Sequence, residues 1–238
     1  MIVCLDSGNS RIKWGVHDGQ AWLAQGAVAH ADLAQLAALL DQWPSPDKVL
    51  LANVAGAEAA GKIRAALAAW LPVWHEVKAE AKSCGVTNHY KNPQQLGVDR
   101  WCALLGARAQ CATACVVVMA GTATTIDTLD QQGNFLGGLI LPGLELMHRA
   151  LARDTAGLPF ANGRHAGQPR CTDDAIVSGA IEAQAGAIER AFSRLAAPDA
   201  TCLLSGGNAA LLAKHLNIPC QVRENLPLEG LCLLATAR

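Results

Sequence analysis

Two short turns carry the residues best suited to chemistry, and each turn follows an apolar run. Residues 6–10 read Asp-Ser-Gly-Asn-Ser after the run at 2–5, and residues 121–125 read Gly-Thr-Ala-Thr-Thr after the run at 115–119. Glycine lets backbone N–H groups approach a ligand, and small polar side chains add hydroxyl donors. Two donor-rich turns suit a triphosphate, although each one alone is also typical of an ordinary β-turn.

Two charged residues lie in or near the first of these turns. Asp6 ends the first predicted strand, where a carboxylate has no packing value, so it could hold a magnesium-bound water or position a phosphate. The alternative is an aspartate that caps or shapes the turn. Lys13 is predicted to point outward from the second strand, where it could meet a phosphate or remain solvated.

A third cluster, Gly97-Val98-Asp99-Arg100, is predicted to open a helix that runs to about Gln110. In a first turn the unpaired N–H groups and the helix dipole favour anions. Asp99 could then accept a hydroxyl proton while Arg100 holds a carboxylate or phosphate. A surface salt bridge is the alternative. Tyr90, the only tyrosine, lies in the polar loop before this cluster.

The composition, and the absence of two nucleotide-binding motifs, argue against several classes of function. The sequence contains neither the Gly-x-x-x-x-Gly-Lys-Ser/Thr loop nor the Gly-x-Gly-x-x-Gly turn. Its 238 residues are 51% apolar with a net charge of −1, which disfavours disorder and a nucleic-acid partner. No apolar stretch is long enough to span a membrane, and the start of the chain predicts no signal peptide. Nine cysteines without a Cys-x-x-Cys pair indicate a reducing cytoplasm rather than disulfides or zinc.

The elements that must position these residues form a repeated pattern of strand, turn, strand, hairpin and strand. The predicted strands are 2–5, 12–16 and 21–28, then 115–119, 124–129 and 135–141. A shift of 113 residues aligns Gly8 with Gly121 and Asp6 with Met119. The repeat predicts two duplicated α/β domains, residues 1–112 and 113–238, with a cleft between them. Chance similarity of two hairpins is the alternative.

Helical periodicity occurs between and after these copies. A helix is predicted from Asp32, whose side chain would cap the first turn, to Trp43. Further helices are predicted over residues 57–71, 174–197 and 209–216. Their apolar faces are interpreted as core without a chemical role.

Four blocks, in order and with their spacing, resemble the type III pantothenate kinases. They are residues 6–15, 97–100, 121–127 and 137–143, and the similarity runs to about Gly179. The resemblance implies the acetate and sugar kinase/Hsp70/actin superfamily. Its members have an α/β fold of two ribonuclease-H-like domains, each a mixed β-sheet with flanking helices, and bind nucleotide in the cleft. A homodimer is implied as well.

The resemblance also implies an activity, namely ATP-dependent phosphorylation of pantothenate, the first step of coenzyme A biosynthesis, with Mg²⁺. Asp99 is then the proton acceptor, and residues 205–208 resemble the adenosine-side turn. The implied ATP contacts are Asp6, Ser7, Gly8, Asn9, Ser10, Arg11, Ile12, Lys13 and Thr122. The implied pantothenate contacts are Tyr90, Gly97, Val98, Asp99, Arg100 and Thr172.

One departure from the family pattern concerns a monovalent cation. Many members carry an aspartate two residues before the Gly-Thr of the second loop, whereas this chain has Met119. A thioether is a poor ligand for K⁺ or NH₄⁺, so the cation requirement is in doubt here. Two other functions stay open: another small-molecule kinase of the superfamily, or a non-catalytic regulatory protein that binds nucleotide. The Gly-Val-Asp-Arg block disfavours the first, and intact Asp6, Asp99 and Thr122 disfavour the second.

Overall fold

The computed structural model describes residues 1–237, whose contacts form two compact units. Unit 1 comprises Met1–Gln110 together with the segment from Asn225 onward, and unit 2 comprises Cys111–Glu224. Each unit has a mixed β-sheet with flanking helices, which confirms the predicted α/β class. None of the helices described is long and apolar enough to cross a bilayer.

The sheet of unit 1 is built on a strand that is buried along its whole length. Its strands are β1 (Ile2–Ser7), β2 (Arg11–His17), β3 (Trp22–Ala29), β4 (Lys48–Asn53) and β5 (Trp74–Glu76). They lie in the order β3-β2-β1-β4-β5, antiparallel from β3 to β1 and parallel from β1 to β5. The apolar run of β1 is covered on both faces, as expected for a central strand with a parallel neighbour.

Before residue 111, unit 1 has four α-helices: α1 (Leu33–Ala37), α2 (Leu39–Gln42), α3 (Ala57–Ala66) and α4 (Val98–Gln110). α4 ends where the sequence predicts, whereas two other predicted helices were too long. The single helix predicted from Asp32 to Trp43 was wrong, because it is two short helices and the Asp32 side chain makes no capping hydrogen bond. The helix predicted to Leu71 becomes a 3-10 segment at Ala68–Val73, since Pro72 cannot donate to a carbonyl four residues earlier.

The segment between β5 and α4 contains elements that the sequence pattern did not predict. A small antiparallel hairpin joins β6 (Lys82–Ser83) to β7 (Val86–Asn88). A 3-10 turn, Pro93–Gln95, follows and leads directly into α4. This connection carries Tyr90 to the start of α4.

Unit 2 repeats the strand order of unit 1. Its strands are β8 (Cys115–Ala120), β9 (Ala123–Leu129), β10 (Asn134–Pro142), β11 (Thr201–Ser205) and β12 (Cys220–Val222). The order β10-β9-β8-β11-β12 matches β3-β2-β1-β4-β5, with the same change from antiparallel to parallel pairing. The duplication predicted from the turns is therefore a duplication of sheet topology.

Three helices of the described chain belong to unit 2. They are α5 (Leu144–Asp154), α6 (Thr172–Ser193) and α7 (Ala209–Ala213). α6 covers the apolar face of the sheet with residues such as Ile181 and Ile188. The prediction lacked α5, although Leu144, Met147 and Leu151 recur at helical spacing.

The last helix, α8 (Leu226–Thr236), packs on α4 and so belongs to unit 1. The predicted domains, 1–112 and 113–238, place this segment in the second half instead. The backbones of the two helices touch, because a Cβ on Gly230 would lie 1.9 Å from the Cys102 carbonyl oxygen. The sequence of α8 is almost uniformly apolar, so it has no periodicity from which a helix could be predicted.

Candidate active site

The first donor-rich turn links β1 to β2. Its backbone is closed by a hydrogen bond of 3.1 Å from the Gly8 N–H to the Arg11 carbonyl. Asn9, Ser10 and Arg11 are exposed at its tip, where a ligand can reach them. The side chain of Ile12, in contrast, is fully buried in the core, so only its backbone is available for a ligand contact.

Asp6 and Lys13 are opposite each other in the β1–β2 pair, and their side chains therefore share one face of the sheet. Lys13 is half-buried beside Asp6 rather than pointing into solvent as predicted. Asp6 is 7% exposed, and its Oδ1 has no hydrogen-bond partner among residues 1–237. The next residue, Ser7, also has a buried hydroxyl without a partner in this part of the chain.

The charge on Asp6 is unfavourable in these surroundings. Burial, and second the nearby carboxylate of Asp99, raise the pKa of Asp6 from its ordinary 3.8 to about 7, while Lys13 opposes the shift. Two neighbouring carboxylates in a desolvated place favour a proton or a cation between them. Asp6 and Asp99 are thus brought into one electrostatic site, although 92 residues separate them in the chain.

Asp99 lies in the first turn of α4, as predicted. Its Oδ1 accepts a hydrogen bond of 2.8 Å from the Arg100 N–H at the helix start. A Cβ on Gly97 would lie 2.7 Å from the same oxygen, so a side chain at position 97 would displace the carboxylate. The absence of a side chain at Gly97 therefore leaves room for the Asp99 carboxylate. Val98, between them, is buried.

Arg100 and Tyr90 form a second pair in unit 1. The Arg100 side chain is only 4% exposed, and its Nη1 donates to the Tyr90 hydroxyl at 3.2 Å. The guanidinium carbon lies 5.8 Å from the centre of the Tyr90 ring, within the range of a cation–π interaction. A buried guanidinium of this kind is suited to a carboxylate or phosphate.

Two supporting residues were missed by the sequence reasoning. Asn88 accepts a hydrogen bond of 3.0 Å from the Tyr90 N–H and donates to the Pro93 carbonyl at 3.1 Å, which shapes the loop that bears Tyr90. His30 donates from Nε2 to the Gly8 carbonyl at 2.7 Å and so braces the first turn. Neither residue belongs to a motif, and nothing in the sequence could have indicated these contacts.

The second donor-rich turn lies in unit 2 between β8 and β9. The Gly121 N–H donates to the Ala123 carbonyl at 3.0 Å, and the Gly143 N–H donates to the Thr122 carbonyl at 2.9 Å. Thr122 is exposed, whereas Thr124 is fully buried. A Cβ on Gly143 would lie 2.2 Å from the Gly121 carbonyl oxygen, so the backbone at the end of β10 is in close contact with this loop.

The remaining predicted site residues are also in unit 2. Thr172 is the exposed first residue of α6. Residues 205–208 form the turn from β11 to α7, and the Asn208 N–H donates to the Ala120 carbonyl at 3.1 Å. Gly206 has a φ of +103° that favours glycine. The structure thus gathers Asp6, Lys13, Tyr90, Asp99 and Arg100 within unit 1, and places Thr122 and Thr172 in unit 2.

Comparison with known proteins gives consistent results over nearly the whole chain. The family model of type III pantothenate kinases matches residues 2–194. A type III pantothenate kinase from Dechloromonas aromatica (strain RCB) is 67% identical over 235 residues, which cover 99% of each chain.

Two solved structures share the fold. A conserved protein of Campylobacter jejuni, assigned to the Baf family of transcriptional activators, has a TM-score of 0.65 at 20% identity over 96% of this chain and 94% of its own. A Sinorhizobium meliloti protein assigned as a 2-dehydro-3-deoxygalactonokinase has a TM-score of 0.59 at 15% identity over 100% and 98%. At such identities the likeness concerns the fold alone.

Proposed function

Because this chain belongs to the type III pantothenate kinase family, we propose that it transfers the terminal phosphoryl group of ATP to the primary hydroxyl of pantothenate. The product is 4'-phosphopantothenate, and the reaction is the first step of coenzyme A biosynthesis. The observation that carries the proposal is the electrostatic coupling of the buried Asp6 to Asp99, since it puts the first donor-rich turn and a potential base in one site.

Asp99 is proposed to orient the pantothenate hydroxyl and to accept its proton. Phosphoryl transfer proceeds through a loose transition state, so positioning and charge neutralisation dominate the catalysis. An aspartate is a weak base, which suits a proton that leaves late in such a reaction. The hydrogen bond from the Arg100 N–H and the close approach of Gly97 support this role, because they hold the carboxylate in one orientation.

Arg100 and Tyr90 are proposed to bind the carboxylate of pantothenate. The guanidinium is already desolvated and oriented by Tyr90, so little ordering is needed when an anion binds. Thr172 is proposed as a further pantothenate contact, with residues 97 and 98 contributing backbone. These roles rest on the family motif and on the chemistry of the side chains.

The ATP phosphates are proposed to contact the first turn, Lys13 and Thr122. Asp6 fits a Mg²⁺ ion held through water, because its buried Oδ1 lacks a partner among the described residues. Within residues 1–237 no three His, Cys, Asp or Glu side chains form a metal-binding group, so phosphates and water would complete the coordination. When bound, Mg²⁺ neutralises negative charge on the transferred phosphoryl group.

A homodimer is proposed from the distribution of exposed apolar side chains. Large exposed residues concentrate in β10, α5 and the segment after it: Leu136, Leu139, Ile140, Leu146, Leu151 and Phe160. Such a surface is typical of a protein interface, and a second copy of the chain is the expected occupant. A reducing, cytoplasmic location is also proposed, because within residues 1–237 no disulfide joins any of the nine cysteines.

Sedimentation velocity tests the homodimer. We expect a dimer for the native chain and a shift toward monomer for Ile140→Lys, because Ile140 is 66% exposed and a charge there opposes burial. Leu23→Lys, on the exposed surface of β3, is the matched control and should leave the dimer intact. A monomeric native chain at micromolar concentration would exclude the homodimer.

A coupled ADP-release assay tests the activity. We expect ADP formation that requires pantothenate and Mg²⁺, with 4'-phosphopantothenate identified by mass spectrometry. A preference for a sugar or another hydroxy acid in a substrate panel would instead indicate a different kinase. ATP binding without turnover of any substrate would favour a regulatory protein that binds nucleotide.

A further inference from the structure

One buried polar side chain of unit 2 is hydrogen-bonded to the start of β9, which follows the second turn, and to the end of β10, which pairs with β9. Gln184 lies in the middle of α6 and is fully buried, next to the apolar residues Ile181 and Ile188 of the same helix. Its Oε1 accepts a hydrogen bond of 2.8 Å from the Thr124 hydroxyl. Its Nε2 donates to the Pro142 carbonyl at 3.0 Å.

The orientation of the Gln184 amide is determined by its partners. The Pro142 carbonyl can only accept a hydrogen bond, so the NH₂ end must face it and the oxygen must face Thr124. The Thr124 hydroxyl therefore donates the hydrogen bond to the Gln184 oxygen. One amide thus ties the start of β9 to the end of β10.

Thr124 and Pro142, the two partners of Gln184, both lie close to the second turn. Ala123 is paired in register with Pro142, and the Gly143 N–H holds the Thr122 carbonyl at 2.9 Å. Thr122 is therefore held through its backbone, and Gln184 ties β9, which follows Thr122, to the end of β10. A shift of β9 would break the buried hydrogen bond between Thr124 and Gln184, and a shift of β10 would break the partly buried hydrogen bond to Pro142.

We propose that Gln184 is a positioning residue that clamps the second turn, so that Thr122 is presented to the ATP phosphates without reorganisation. This inference rests on the proposed function for its effect on ATP. It concerns ATP rather than pantothenate, since Thr172 lies 12 residues earlier in α6, about 18 Å along the helix. Gln184 itself touches no substrate.

Gln184→Met tests the clamp, because methionine preserves length and removes both hydrogen bonds. We expect the KM for ATP to rise about tenfold, with a small change in kcat and in the KM for pantothenate. Thr124→Val should raise the KM for ATP in the same direction, and the double variant should show less than the summed effect. Thr124→Ser keeps the hydroxyl, so its KM for ATP should stay close to that of the native chain.

Ile188→Val is the matched control, since it weakens the same helix one turn away without touching the second turn. Amide hydrogen exchange in the free protein gives a readout that does not depend on activity. The Gly121 and Gly143 amides should exchange about tenfold faster in Gln184→Met than in Ile188→Val. Equal exchange and an equal KM for ATP in the two variants would overturn the clamp. A native chain that neither binds ATP nor phosphorylates pantothenate would refute the proposed function, while the exchange rates would still decide the clamp.

Discussion

At the residue scale, the burial of Asp6 makes the stability of the protein depend on pH. Its pKa rises from 3.8 to about 7, first because the side chain is desolvated and second because Asp99 is near. Between these two pH values the folded chain binds a proton that the unfolded chain has released. The free energy of unfolding therefore falls as the pH rises through this window, and the loss is complete above it.

Asp6→Asn removes this titration while preserving the size of the side chain. We expect the variant to gain on the order of 4 kcal/mol relative to the native chain between pH 4 and pH 8, from a shift of about three pKa units. Urea unfolding at both pH values, without divalent cations, measures the difference. Asp199→Asn, at an exposed site, is the control. A pH-independent difference between Asp6→Asn and the native chain would show that Asp6 does not titrate in this range.

Asp99→Asn tests the role of the proposed base. An amide at this position can still accept a hydrogen bond, but it cannot take a proton. Turnover should fall by roughly 10²- to 10⁴-fold, while the affinity for ATP stays close to that of the native chain. Single-turnover kinetics and nucleotide titration measure the two quantities separately. A parallel loss of ATP binding would contradict the assigned role.

At the scale of elements, the contact between α4 and α8 determines where the start of α4 lies. This pair makes the most extensive helix–helix contact of unit 1, and glycine occurs on both sides of it. A Cβ on Gly106 would lie 2.3 Å from the Leu226 carbonyl oxygen, and Gly230 is closer still to Cys102. Since Asp99 and Arg100 lie in the first turn of α4, a displaced α8 would displace the candidate base.

Gly230→Ala should therefore destabilise unit 1, because the new methyl group meets a backbone oxygen that cannot rotate away. We expect a loss of more than about 2 kcal/mol in the free energy of unfolding. Gly61→Ala in α3 is the control: nothing lies within 4 Å of its Cβ position, so it should be neutral or stabilising by up to about 1 kcal/mol. Equal stabilities of the two variants in urea would show that α4 and α8 are not in backbone contact.

At the scale of the whole molecule, the duplicated sheets place different chemistry at corresponding positions. In unit 1, Asp6 on the central strand is opposite Lys13. In unit 2, Met119 occupies the corresponding place, opposite Thr125 on one side and Ser205 on the other. The hydroxyls of Thr125 and Ser205 are buried, and neither has a hydrogen-bond partner within the described chain. Position 119 of unit 2 is thus paired with residues that carry neutral oxygen atoms, and the residue at that position is not a carboxylate.

This difference predicts weak dependence on monovalent cations. Turnover of the native chain should change little when K⁺ or NH₄⁺ replaces Na⁺ at constant ionic strength, because a thioether does not bind hard cations. Met119→Asp places a carboxylate between two hydroxyls and should make turnover respond to K⁺, whereas Met119→Leu should not. A strict K⁺ requirement in the native chain, measured by titrating KCl, would contradict the interpretation of Met119.

The sequence alone was sufficient to predict the features that depend on neighbouring residues. The turns at residues 6–10 and 121–125, the start of α4 at Asp99 and the duplicated strand pattern all follow from local periodicity and small-residue chemistry. Short helices such as α1 and α2 were predicted less well, because their ends depend on packing rather than on capping residues. α8 was missed since a uniformly apolar segment has no amphipathic pattern.

Only the tertiary structure decided which distant residues meet. The approach of Asp99 to Asp6, the brace from His30 to Gly8 and the clamp by Gln184 each join segments separated by more than 20 residues. A hydrogen bond or a pKa shift depends on burial and on distance in space, and neither quantity is encoded in local spacing. The residue types that could carry the chemistry were therefore visible in the sequence, whereas their electrostatic coupling was determined by the packing of β1, α4 and α8.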